Sequence, residues 1–335
     1  MNKIIKTGAL LLMLVMMLVP ETKAQQDVQF SQYIFNPLAL NPAYAGYRGA
    51  TYVNALYRTQ WASFPGAPKT AAASVEWLVP NHDERVAWSA RVLSDKIGPQ
   101  QTVSVFGGYT YRIPLNREDT RRLCIGIGAG VSQYTMDGNV FQYVDANDPM
   151  VPVGRESKMV PDANFGIYYY TPKFYFSVGG NNILSFDKAN VSYNWLGNKF
   201  YSMEKSMHIY AGTGVMMNIS DNVKFKPSFL WKEDFKGPSN VDLNAFFLLK
   251  DIIWLGASYR TGFKIWNKSN LQKDLEQTDA YSLITEIYAT PRLRIGYAYD
   301  ITTSKLNTYQ NGTHELSLGI TFWNKDKMQL SPRYF

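Results

Sequence analysis

His314-Glu315-Leu316-Ser317-Leu318-Gly319-Ile320-Thr321-Phe322-Trp323 is the stretch that decides how this chain folds. Leu316, Leu318, Ile320 and Phe322 alternate with Ser317, Gly319, Thr321 and Trp323. That period of two sets an apolar face against a small or polar one, which is a strand. A helix would need apolar residues spaced three and four apart, and these are absent. Leu293, Ile295, Tyr297 and Tyr299 repeat the pattern against Arg294, Gly296, Ala298 and Asp300. Leu123, Ile125, Ile127, Ala129 and Val131 do so against Cys124, Gly126, Gly128, Gly130 and Ser132. Val241 to Leu249 follows the same rule.

Working outward, fourteen such segments appear, over 51–58, 70–79, 86–94, 102–114, 123–136, 162–170, 174–184, 208–219, 223–231, 241–249, 252–261, 280–289, 293–300 and 313–323. Most are close to the roughly nine to eleven residues of a tilted membrane strand. Links after odd strands span roughly 11, 7, 25, 23, 9, 18 and 12 residues, and those after even strands roughly 2 to 8, the loop and turn rims of an outer-membrane barrel. Tight turns include Thr171-Pro172-Lys173, Lys250-Asp251 and Thr290-Pro291-Arg292. A secreted sandwich or propeller also alternates. The absence of a blade repeat and the tight hairpins on one side favour the barrel. The predicted fold is therefore all-β, a 14-stranded antiparallel transmembrane β-barrel. Tyr57, Trp61, Trp88, Tyr111, Tyr134, Tyr170, Tyr210, Trp231, Tyr259 and Trp323 are candidates for its interfacial girdles.

Composition agrees. The chain has 335 residues, 18% charged and 15% aromatic, with a formal charge of +7. Its Lys and Arg are dispersed among acidic residues, so no nucleic-acid stripe exists. Cys124 is the single cysteine, which excludes a disulfide scaffold. Lys3 and Lys6, the apolar run Gly8–Val19 and Thr22-Lys23-Ala24 read as a secretory signal peptide over 1–24, giving a mature start at Gln25. Residues 25–50 are a non-strand, plug-like segment, 51–323 the barrel and 324–335 a short periplasmic tail. An even strand count predicts both termini in the periplasm. In the segment, Pro37 and Pro42 forbid a ladder or helix interior. Phe30, Tyr33, Ile34, Phe35, Leu38 and Tyr44 are too apolar for a solvated tail, so the segment packs in the lumen as a plug or under it as a cap.

Catalytic patterns are absent: no HExxH, GxSxG, Walker or CxxC motif occurs. Ser202-Met203-Glu204-Lys205 fits SxxK but falls in a loop, and His314 and Ser317 fall on opposite strand faces. His82 and His208 stand apart at a turn and a strand start. Asp137, Asp145 and Asp148 share a loop that could recruit calcium, although a solvated polar loop explains them as well. The expectation is no enzyme, no cofactor and no metal.

Gln32-Tyr33-Ile34-Phe35-Asn36-Pro37-Leu38-Ala39-Leu40-Asn41-Pro42-Ala43-Tyr44-Ala45-Gly46 resembles the N-terminal signature of the PorP/SprF family. Matching motifs follow in order: Trp61 with Phe64-Pro65-Gly66-Ala67-Pro68, Asp95-Lys96-Ile97-Gly98-Pro99, Pro161-Asp162-Ala163-Asn164-Phe165-Gly166, Gly296-Tyr297-Ala298-Tyr299-Asp300, His314-Glu315-Leu316-Ser317-Leu318-Gly319 and Arg333-Tyr334-Phe335. Asn36, Pro37, Asn41, Pro42, Tyr44, Gly46, Trp61, Pro65, Gly66, Pro68, Asp95, Gly98, Pro99, Asp162, Asn164, Phe165, Gly166, Arg333, Tyr334 and Phe335 are thus candidate structural or partner-contact positions. The resemblance implies an outer-membrane barrel of the type IX secretion and gliding apparatus. Its implied partners are outer-membrane lipid, the periplasmic ring proteins and a secreted protein carrying a C-terminal sorting domain. A porin-like diffusion channel is the alternative. The inward faces carry few expected charges, Arg91, Asp242, Arg260, Glu286 and Arg294 among them, which favours a scaffold built on loops 137–161, 185–207 and 262–279.

Overall fold

The computed structural model describes residues 28–80, 83–141, 154–185, 189–195, 198–235, 237–263, 278–303, 305–323 and 335. The signal peptide, His82, Asp145, Asp148, Arg333 and Tyr334 lie outside the described residues, as does most of loop 262–279. Strand segments in chain order are β1 (Thr51–Thr59), β2 (Lys69–Leu78), β3 (Val86–Ile97), β4 (Gln100–Pro114), β5 (Arg122–Asp137), β6 (Arg155–Tyr170), β7 (Phe174–Asn181), β8 (Ala189–Trp195), β9 (Asn198–Lys205), β10 (His208–Val215), β11 (Met217–Ser220), β12 (Val223–Glu233), β13 (Ser239–Leu249), β14 (Ile253–Phe263), β15 (Thr278–Tyr288), β16 (Leu293–Thr302) and β17 (Thr313–Phe322). β10 and β11 are two halves of one barrel strand, broken at Met216, and β8–β9 is a separate hairpin. The remaining segments make a closed, 14-stranded antiparallel barrel.

Closure follows from the register. β1 pairs with β17 from Thr51↔Phe322 to Thr59↔His314, and β10 pairs with both β7 and β12. Among the described residues each barrel strand thus has a hydrogen-bonded neighbour on both sides, which is the ring closure that hydrocarbon demands. The strand faces are inverted relative to a soluble protein. Along β17, His314, Leu316, Leu318, Ile320 and Phe322 face out, while Thr313, Glu315, Ser317, Gly319 and Thr321 are buried inside. Among the described residues, no helix is long and apolar enough to cross a membrane, so strands do the crossing. Leu318→Arg, on the apolar belt at mid-strand, is expected to cost about 2–4 kcal/mol, whereas Ile252→Arg at a turn is expected to cost about 0–1 kcal/mol. Denaturant titration of barrels in vesicles measures both, and equal effects would show that Leu318 does not face lipid.

Three local expectations change. The link between β3 and β4 on the loop rim is only Gly98-Pro99, because both strands run beyond their expected ends; Gly98 takes φ +54° there. On the turn rim, residues 79–85 and 115–121 are longer than that outer turn, so loop lengths segregate less strictly than the pattern suggested. β6 begins at Arg155 instead of near residue 162. It pairs with β7 only over Phe165–Tyr170, so β5 and β6 continue upward as a two-stranded ribbon. Its inward Tyr134, with Met136 and Val160, packs on Val191 and Tyr193 of the β8–β9 hairpin.

Tyr57, Trp88 and Tyr111 lie exposed on the outer face, and Tyr259 stacks on Tyr281 with ring centroids 4.8 Å apart. Tyr134, Tyr170 and Tyr210, by contrast, are buried in the lumen. Strand parity decides this: Tyr134 shares the face of Cys124 and Ser132, both inward.

Candidate functional site: the filled lumen

The N-terminal segment occupies the lumen. It forms three one-turn 3-10 helices, Gln32–Ile34, Pro37–Ala39 and Pro42–Tyr44. Each Asn-Pro step starts one of them: Asn36 and Asn41 are N-caps, and Pro37 and Pro42 take the first helical position, where a missing N–H costs nothing. The Asn41 side chain accepts from the Ala43 N–H at 2.8 Å. The segment runs the height of the barrel. Gln29 and Ser31 meet strand residues near the loop rim, and Gly46 and Arg48 meet those near the turn rim. β1 and β17 do begin and end at one rim, but the first described residues of the segment lie near the other.

A row of glycines seats the segment. Gly126 on β5, Gly166 on β6 and Gly179 on β7 are register neighbours. A Cβ on Gly126 would lie 2.3 Å from the Ala43 nitrogen, one on Gly166 1.8 Å from Asn41 Oδ1, and one on Gly179 2.4 Å from the Leu40 carbonyl oxygen. Only hydrogen side chains leave space for the main chain to approach this closely. Within that groove Asn41 Nδ2 donates to the Ile167 carbonyl at 2.9 Å and to Ser177 Oγ at 2.8 Å. Thr110 Oγ1 donates to the Pro42 carbonyl at 2.8 Å, and Asn36 Nδ2 to Asn54 Oδ1 at 2.9 Å. Arg91 Nη1 donates to the Ala39 carbonyl at 2.6 Å. Gly46, at φ +77°, donates its N–H to Glu76 Oε2 at 2.8 Å.

Buried charges hold the upper part. Glu315 accepts the main-chain N–H groups of Ser31 and Gln32 at 3.0 and 2.8 Å. Arg58 bridges Glu315 at 2.9 Å and Asp300 at 2.8 Å, and Ser31 Oγ donates to Asp300 at 2.7 Å. Farther around the ring, Asp242 pairs with Arg260 at 3.0 Å and Lys232 at 2.8 Å, and Lys232 reaches Gln29 Oε1 at 3.1 Å. The lumen is therefore more charged than its Gly, Ala and Ser content suggested. Much of that charge is spent on ion pairs and on the plug, as burial requires. The signal available in the sequence was parity, clearest for Glu315, the lone charge on the otherwise small inward face of β17.

The remaining motif positions form a second group at the loop rim. The Gly98 N–H donates to the Gly66 carbonyl at 3.0 Å, joining Phe64-Pro65-Gly66-Ala67-Pro68 to the Gly98-Pro99 turn. The Trp61 N–H donates to Thr313 Oγ1 at 3.1 Å, and Trp61 holds φ +50°. Pro65 and Gly66 are exposed and Pro68 is buried. Just inside, Thr70 Oγ1 donates to Asp95 at 2.6 Å. Asp162 anchors the connection between β7 and β10: it pairs with Lys205 at 2.6 Å and accepts from Ser185 Oγ at 2.9 Å. Lys205 of the SxxK sequence is thus bound to a carboxylate. Phe165 faces outward, and Asn164 is buried beside the glycine row. Cys124 is an inward filler at 1% exposure. His208 Nδ1 lies 3.1 Å from the Ser206 carbonyl, and His314 Nδ1 lies 2.7 Å from Tyr297 Oη on the outer face. Asp137 is bonded to Arg155 at 2.8 Å.

A cavity of about 130 Å³ lies between plug and wall in the loop-rim half, with Phe30, Leu40, Leu93, Phe106 and Tyr210 among its apolar lining and Arg91 and His208 among its polar lining. Closed strands, an apolar belt and a keyed N-terminal plug define an outer-membrane β-barrel with a filled lumen. The chain belongs to the type IX secretion system membrane protein PorP/SprF family, whose profile matches residues 22–320. It is similar to the solved Ralstonia pickettii toluene transporter TbuX, at 8% identity and TM-score 0.51, over 91% of this chain and 98% of that one. It is likewise similar to the CymD monoaromatic hydrocarbon channel, at 11% identity and TM-score 0.51, over 91% and 97%. At these identities the likeness shows the fold alone. No curated protein matches the chain.

Proposed function

We propose that this barrel is a scaffold of the type IX apparatus. In this reading, the loop rim holds a secreted or surface-retained protein through its C-terminal sorting domain, and the turn rim contacts the periplasmic ring. The observation that carries the reading is the plug, keyed to the wall from Ser31 to Gly46. A lumen given over to binding its own segment leaves the two rims as the working surfaces. The motif positions at the loop rim, Trp61, Pro65, Gly66, Pro68, Asp95, Gly98 and Pro99, are candidates to shape the partner-binding ledge. The cavity beside the plug is the feature that favours the alternative, a porin-like diffusion channel.

Native extraction with crosslinking, followed by purification of the full mature chain, tests the choice. Recovery of a secreted protein's sorting domain together with ring components is expected. Clean absence of both, with large steady conductance of the intact chain in a planar bilayer, would establish the channel instead.

A further inference from the structure

Beyond the rims, the turn-rim end of the lumen contains an aromatic socket. Tyr44 and Tyr47 come from the plug, Tyr168 and Tyr170 from β6, and Tyr175 from β7. Tyr47 meets the Tyr170 ring edge-on at a centroid distance of 4.7 Å, and Tyr44 meets Tyr168 at 5.3 Å. Phe335 lies inside this socket at 4% exposure, although β17 has already ended at Phe322. The expected periplasmic tail thus has its final residue within the barrel, while 324–334 lie outside the described residues.

The contacts to Phe335 are of the kind that recognise a peptide. Its main-chain N–H donates to Tyr47 Oη at 3.1 Å, and its carbonyl accepts from Tyr44 Oη at 2.5 Å. Its ring lies 4.9 Å from that of Tyr175, and Lys226 Nζ stands 5.3 Å from the ring centroid. Main chain and side chain are thus both bound, one by the plug and the other by the wall.

We infer that this socket is a binding site for an aromatic residue of a peptide segment, with the chain's own Phe335 as resident ligand, so that Phe335 latches the plug to the barrel wall. The reason is geometric: plug residues Tyr44 and Tyr47 grip one side of Phe335, and β7 and β12 grip the other. Movement of the plug's lower turn must break both hydrogen bonds to Phe335.

Limited proteolysis of the mature barrel in vesicles, with protease on the turn-rim side, tests this. Phe335→Ala is expected to speed cleavage within 42–50 by about tenfold, the effect of making local opening easier by one decade. Tyr44→Phe, which keeps the ring and loses the hydroxyl, should give a smaller increase. A synthetic peptide of residues 331–335 should restore protection to the Phe335→Ala barrel, and the same peptide ending in Ala should not. Unchanged cleavage in Phe335→Ala, or equal rescue by both peptides, would overturn the latch. A photoreactive benzoylphenylalanine in place of Phe335 covers a variant that fails to assemble. Crosslinks to Tyr44, Tyr47, Tyr175 or Lys226 support the socket, and crosslinks only to lipid or to other proteins refute it.

Discussion

Gly126→Leu is expected to turn a closed barrel into a conducting one. The first carbon of any side chain at this position would stand 2.3 Å from the Ala43 nitrogen and 2.6 Å from the Pro42 carbonyl carbon. Both are main-chain atoms of the plug, so no flexible side-chain end can move aside. Overpacking of a tight site costs about 1–3 kcal/mol and occasionally more. The wall is held by two complete ladders, from Pro114↔Arg122 and Arg122↔Tyr170 upward, so the plug should yield first. The expected result is stepwise ion conductance in planar bilayers, with residues 36–46 open to protease, in a barrel that still shows the heat-modifiable migration of a folded one. Gly107→Leu is the control: it lies on a neighbouring strand, and a Cβ added there would meet nothing within 4 Å. Native conductance and native protection in Gly126→Leu would show that the groove does not seat the plug.

Arg58→Ala should be the most destabilising single change to the charge belt. It strands Asp300 and Glu315 together in the lumen, 3% and 0% exposed at their side chains. Removing one partner of a buried pair costs about 3–5 kcal/mol, because the other charge stays uncompensated. Here two carboxylates lose their ion-pair partner at once, and Glu315 also loses the counter-charge that favours its bonds to Ser31 and Gln32. Denaturant unfolding in vesicles is the measurement. Adding Asp300→Asn and Glu315→Gln to Arg58→Ala should recover part of the loss, since neutral amides do not repel one another. An Arg58→Ala barrel as stable as the native one would mean that water, and not Arg58, compensates these carboxylates.

The two features complement each other. Glycines remove side chains where Leu40–Ala43 must touch the wall, and charges provide attachment where the wall stands farther off. The Pro161-Asp162-Ala163-Asn164-Phe165-Gly166 motif combines both within one strand: Asp162 faces Lys205 of the connection between β7 and β10, Gly166 faces Asn41, and Phe165 faces outward. Alternation along a strand permits this, since every second residue returns to the lumen.

Local sequence determined the barrel: alternation along Leu316–Phe322 and its thirteen counterparts required strands with one apolar face, and the absence of an apolar helix left closure as the way to satisfy their main chains in hydrocarbon. Pro37 and Pro42 likewise marked residues 25–50 as neither ladder nor helix interior, while the capped turns that their Asn-Pro steps start came from the structure. Tertiary structure alone decided which inward residues meet. Tyr134 and Tyr170 read as girdle residues until the buried faces of their own strands placed them inside. β6 read as shorter because Pro161 and the charges before it look like loop, yet pairing with β5 carries it to Arg155. Asp300 and Glu315 are neighbours through the β16–β17 pairing, but Arg58, far away along the chain, joins them only because β1 closes on β17. Phe335 meets Tyr44 across 291 residues of sequence, a contact inside the lumen that leaves no periodic mark in any one segment.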